Sequence, residues 1–122
     1  MKPTPKVFLH HVAVIVEDVP RAKKFYKSVF GLEEIERLTA TTSNNRGAWF
    51  RLGELELHLQ ERAGITEKNE QHFALLTEQL DEIAALAEKH GGRTEPAKLI
   101  NGMSKRCFLY DLDENRVELL QR

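Results

Sequence analysis

The chain has one cysteine, Cys107, among 122 residues. A single thiol cannot close an internal disulfide, so this usage suits a reducing cytoplasm, with Cys107 read as a packed strand residue. Charge of neither sign prevails. The 18 Lys and Arg against 19 Asp and Glu leave a net charge of -1, so there is no broad basic field for nucleic acid or anionic lipid. Long apolar runs are missing too. The longest, Val7 to Val16, is too short to span a bilayer, contains two histidines, and leads into Glu17 and Asp18 rather than a small-residue cleavage site. These absences point to a cytoplasmic protein with no membrane anchor and no nucleic-acid partner. At this length a chain forms one domain, here 1–122, and buries roughly two-thirds of its unfolded surface without staples.

What is present is a repeat. The segment VFLHHVAVIV (7–16) is strand-like, with Val12, Val14 and Val16 on one parity. A helix should follow. Asp18 is suited to cap it, Pro20 fits its first turn and Gly31 its left-handed exit, while Ala22, Phe25, Tyr26, Val29 and Phe30 form an apolar stripe. Three strands are expected next, at Leu32 to Leu38, Ala48 to Leu52 and Leu55 to Glu61, the last two joined at Gly53 and Glu54. At His72 the pattern restarts with HFALLT. A helix carrying Leu80, Ile83, Ala84 and Ala87 closes at Gly91 and Gly92, and short strands follow near Arg93 to Glu95, Arg106 to Asp111 and Arg116 to Gln121. His11 and His72 stand at equivalent places, half a chain length apart. The reading is an α+β fold of two tandem β-α-β-β-β modules, about 7–61 and 71–122. The polar stretch 62–71 is the hinge, and the segments 39–46 and 96–104 are candidate lids.

Alternation along the strands separates two faces. Val12, Val14 and Val16, Leu55, Leu57 and Leu59, Phe73 and Leu75, and Val117 and Leu119 should face the helices. The opposite face collects His11, Ala13 and Ile15, then Glu54, Glu56, His58 and Gln60, then His72, then Arg116 and Glu118. A polar sheet face is often simply wet. Two histidines at matched repeat positions, each among apolar neighbours, instead suit a divalent metal, and two imidazoles with one carboxylate leave coordination positions open. His10 has the opposite parity and should face the helix layer in a structural role. His90 reads as a helix-end or surface residue.

In the segments LHHVAVIVEDVPRAKKFYKSVFGL, QHFAL and FLYDLDENRVELL, the chain resembles the vicinal oxygen chelate superfamily of glyoxalase I, extradiol dioxygenases, fosfomycin thiol transferases and bleomycin-resistance proteins. The resemblance covers nearly the whole chain and implies two modules whose curved mixed sheets form a cleft. It places the metal ligands on His11, His72 and Glu118. A fourth-strand carboxylate falls on Glu56, with His58 of the same parity as the alternative. The metal would be Fe, Mn, Ni or Zn, polarising adjacent oxygens of a small-molecule substrate while Glu56 or Glu118 moves a proton. Short members of the family commonly form homodimers, and some combine units from different chains in one cleft.

That resemblance implies a lyase or isomerase like glyoxalase I. One alternative is an extradiol-type oxygenase with Tyr110 as acid-base partner. The other is a non-catalytic, bleomycin-resistance-like binding protein, where Trp49 and Phe50 could wall the cleft. Some positions depart from the family pattern. Ile15 replaces an arginine that holds glutathione, although Gln60 could offer an amide. Ala13 replaces a threonine of the fosfomycin enzymes and argues against that activity. Leu112 and Glu114 replace the proline and glycine of the closing turn, with Glu118 expected to keep its register.

Overall fold

The computed structural model describes residues 6–36, 47–64, 71–99 and 102–122. Its first module runs β1 (His11–Val16), α1 (Val19–Phe30), β2 (Glu33–Ile35), β3 (Gly47–Leu52) and β4 (Leu55–Glu61). The second repeats the order as β5 (His72–Leu76), α2 (Leu80–Lys89), β6 (Arg93–Pro96), β7 (Lys105–Tyr110) and β8 (Arg116–Gln121). Each module makes a four-stranded mixed sheet, β1-β4-β3-β2 and β5-β8-β7-β6. In each, the first and last strands pair parallel and the remaining pairs are antiparallel. The two-module α+β reading is therefore correct.

Local chemistry explains the helix ends. Asp18 accepts a hydrogen bond from the Arg21 amide at 3.1 Å, Pro20 lies in the first turn, and Gly31 leaves α1 at φ 65°. Ala22, Phe25, Tyr26 and Val29 are buried, in one cluster with Val14, Val16, Phe50, Leu57 and Leu59 and, from the second module, Leu80, Ala87, Leu109, Val117 and Leu119. Both helices pack together inside this shared core. Gly92 lies at the joint, where an added Cβ would fall 2.5 Å from the Tyr110 carbonyl oxygen and 3.0 Å from the Phe25 ring.

The closing turn ties the modules further. Tyr26 donates to Asp111 Oδ2 at 2.8 Å, and the Asn115 side-chain amide donates to the Ile15 carbonyl at 2.9 Å. Asp111 also accepts from the backbone amides of Asp113 and Asn115 and from Asn115 Nδ2. Glu114 takes the left-handed conformation, φ 65°, that a glycine would ordinarily fill. The turn is kept by the Asp111 acceptor network, and Glu118 stays in register opposite Phe108 and Ala74.

The first strand begins later than expected. Pairing starts at His11, and Val7, Phe8 and Leu9 are exposed. His10 is exposed as well rather than turned into the helix layer. Burial on the helix-facing side rises along the chain from half-buried Val12 to fully buried Val16, so the core does not reach back to position 10. The second strand is shorter than expected at Glu33–Ile35. The expected extension to Leu38, the candidate lid 39–46 and most of the hinge lie outside the described residues, as do positions 100 and 101 of the other candidate lid.

Candidate metal centre

On the first sheet, β1 and β4 pair so that His11 stands beside Glu56 and Ala13 beside His58, all on the face away from the helices. The His58 and His11 rings stack at 4.0 Å between centroids, and Trp49, the β3 neighbour of His58, stacks on the other side at 4.5 Å. His58 is thus a buried imidazole between two rings. Its Nε2 donates to Glu56 Oε1 at 2.8 Å, since an ionised carboxylate only accepts. The His58 hydrogen bond holds the Glu56 carboxyl below its ordinary value. Burial, together with nearby His58 and His10, lowers His11 and favours the neutral imidazole that metals bind. His10 Nδ1 lies 3.0 Å from His11 Nδ1.

On the second sheet, His72 pairs with Arg116 and Ala74 with Glu118. His72 Nε2 and Glu118 Oε1 are 3.1 Å apart, and Arg106 Nε donates to Glu118 Oε2 at 2.6 Å. The Glu118 carboxylate is therefore oriented at both oxygens. Burial pushes its pKa up, but the Arg106 and His72 contacts outweigh that and leave it below the ordinary glutamate value. Glu118 is 8% exposed, so removing either contact would leave a nearly buried charge underpaired.

The donor set fits a divalent metal. Nitrogen and oxygen ligands at about 2.0–2.2 Å from one ion lie roughly 3.0–3.5 Å from each other, and the His72 to Glu118 distance falls in that range. Nevertheless, the structure brings the expected ligands together as two groups. Within one chain, no three His, Cys, Asp or Glu side chains converge on a metal position among the described residues. His72 and Glu118 form one group, and His11, His58 and Glu56 form another on the other sheet.

The register also bears on the two fourth-ligand candidates. With His11 matched to His72, Ala13 matches Ala74, and His58 stands at the position of Glu118, while Glu56 matches Arg116. Other expectations are reassigned. Phe50 is fully buried in the core and cannot wall a cleft, whereas Trp49 borders His58. Tyr110 donates to Glu95 at 3.3 Å beneath the Arg93 guanidinium. Cys107 is buried, and burial raises its thiol pKa. The sequence reading assigned no role to Arg106, Phe108 or Asp111. For the first two the signal was parity, since Arg106 and Phe108 share a face with Glu118; Asp111 lies past the end of β7 and has no such signal.

These features define a class of protein, a paired-module scaffold that presents histidine and carboxylate groups on its sheets. Residues 8–119 match the family model of the Glyoxalase/Bleomycin resistance protein/Dioxygenase superfamily, and the chain belongs to that superfamily. It is 25% identical over 115 residues to the fosfomycin resistance protein FosX of Listeria monocytogenes, covering 91% of this chain and 86% of that protein. The Listeria innocua FosX matches to the same extent. A glyoxalase family protein from Bacillus anthracis superposes with a TM-score of 0.80 at 22% identity, over 99% of both chains. A variant of Listeria monocytogenes FosX, solved with Mn(II) and 1S,2S-dihydroxypropylphosphonic acid, gives 0.78 at 23% identity over 97% and 93%.

Proposed function

We propose that this chain is a metal-dependent enzyme of a homodimer, whose sites each join His11 of one protomer to His72 and Glu118 of the partner subunit. The observation that carries this is the His72–Glu118 pair, a ligand-spaced imidazole and ionised carboxylate that no third ligand of the same chain completes among the described residues. His58 is the better candidate for a fourth ligand, because it occupies the repeat position of Glu118. Glu56 then orients His58 and stands ready as a proton carrier.

A bound divalent ion would polarise adjacent oxygens of a small substrate. The chain's own part is to bind and orient that substrate and to move a proton. Glu56, in reach of His58 and kept ionised by it, accepts the proton, and Arg106 keeps Glu118 turned toward His72. The reaction class this supports is a lyase or isomerase resembling glyoxalase I, working in the cytoplasm. A second reading, action on a phosphonate, is favoured by the two FosX relatives.

The test is metal content after loading with Mn(II), Fe(II), Ni(II) or Zn(II), followed by turnover of hemithioacetals and of fosfomycin. About one metal per chain, lost in H11A, H72A and E118A, is the expected result. No uptake of any of the four ions by the wild type would reject the reading in favour of a metal-free binding protein.

A further inference from the structure

Three arginines share the face of the second sheet that carries His72 and Glu118, and two of them are neutralised within the chain. Arg93 donates Nε and Nη2 to Glu114 at 3.1 and 2.9 Å, and Nη1 to Glu95 at 3.1 Å. Arg106 spends Nε on Glu118 and Nη1 on the Lys98 carbonyl at 3.0 Å. Arg116 differs. Its Nε is buried without a hydrogen-bond partner, and no carboxylate pairs with its guanidinium among the described residues.

Its position is nonetheless well fixed. The Arg116 guanidinium carbon lies 3.7 Å from the centroid of the Phe108 ring, a stacked cation-π arrangement. Phe108 is itself braced by His72, edge-on at 5.6 Å. Arg116 is also the direct strand neighbour of His72 and Tyr110 and shares its face with Glu118. Two residues along a strand span about 7 Å. Arg116 is therefore directly beside His72 and about that far, along the backbone, from Glu118, a planar cation with uncommitted donors that stacking limits to a narrow range of orientations.

We propose that Arg116 anchors an acidic group of the substrate, a carboxylate or a phosphonate, while oxygens two or three bonds away from that group engage the His72–Glu118 half-site. This rests on the metal-site reading above and narrows its substrate class to small oxyanions that also carry a hydroxyl or carbonyl. Arg116 is then the specificity-determining residue: terminal guanidinium nitrogens pair with two oxygens of the acid in the forked geometry that a lysine cannot reproduce. A neutral diol lacks that anchor.

The experiment uses the full-length protein loaded with Mn(II) and titrates it calorimetrically with glycolate, hydroxymethylphosphonate and ethylene glycol, in wild type, R116M and R116K. Wild type is expected to bind at least one acid and to bind ethylene glycol far more weakly. R116M should weaken binding of that acid by roughly tenfold or more, with Mn(II) content and Tm unchanged and partial recovery in R116K. The acid whose binding is lost identifies the group that Arg116 reads. Should the methionine variant lose its Tm, R116Q carries the same test. Equal Kd values in variant and wild type, or binding of neither acid by the Mn(II)-loaded wild type, would overturn the proposal. If the wild type takes up no Mn(II), nor Fe(II), Ni(II) or Zn(II) in its place, the metal reading fails separately. The same titrations on metal-free protein then decide the role of Arg116: anion binding lost in R116M supports it, and binding unchanged or absent in the wild type rejects it.

Discussion

Glu118 shows how one side chain can serve both the fold and the site. Arg106 and His72 hold its carboxyl below the ordinary glutamate value in the folded state. A depressed folded pKa contributes stability that is fully present above the unfolded value and is lost as pH falls through the folded one. Urea denaturation across the acid range should therefore show wild type losing stability more steeply than E118Q as pH drops below the ordinary glutamate value. Parallel curves would show that Glu118 is not coupled to folding. A second contrast separates His58 from Glu56. With His58 as the proposed ligand and Glu56 as its orienting partner, H58A should lower metal affinity more than E56Q does. An E56Q variant with the larger loss of metal in a competitive chelator titration would reverse that assignment.

Among the elements, the joint between the two helix-on-sheet modules is the most demanding. Gly92 lies against the Tyr110 carbonyl and the Phe25 ring, with no room for a Cβ. G92A forces backbone apart at a packed contact and should cost about 1–3 kcal/mol, measured by chemical denaturation; a neutral result would mean that the joint yields freely. Asp111, 5% exposed, gathers donors from Tyr26, Asp113 and Asn115. D111A strands these donors and should cost roughly 2–3 kcal/mol, with Tyr26→Phe costing less because it removes only one of them. The order of elements was legible because alternation, the Asp18 cap and the Gly31 exit are local signals. The late start of β1 was not, since VFLHHV has the same β propensity before and after His11, and only the reach of the core decides which part pairs. The pairing of His72 with Glu118 followed from parity. The stacking of Arg116 on Phe108 depends on register between strands that no local pattern carries.

At the scale of the whole molecule, the proposed arrangement has one chain supply two different half-sites and a second copy complete each. The candidate ligands were legible as residue types at repeated positions; whether one chain or two would supply a site was not, because the repeat looks identical in both arrangements. The exposed Val7, Phe8 and Leu9 and the exposed His72 face agree with a surface that a second protomer covers. Sedimentation equilibrium at micromolar concentration should return a dimer. The most direct test is complementation between two defective chains. H11A and E118A are co-expressed with different affinity tags, the mixed dimer is isolated by both tags, and its metal is counted. Sites shared between chains concentrate both defects in one site and leave the other intact, so the mixed dimer should hold one metal while each homodimeric variant holds none. A mixed dimer without metal, alongside a wild type that carries its full complement, would contradict the account.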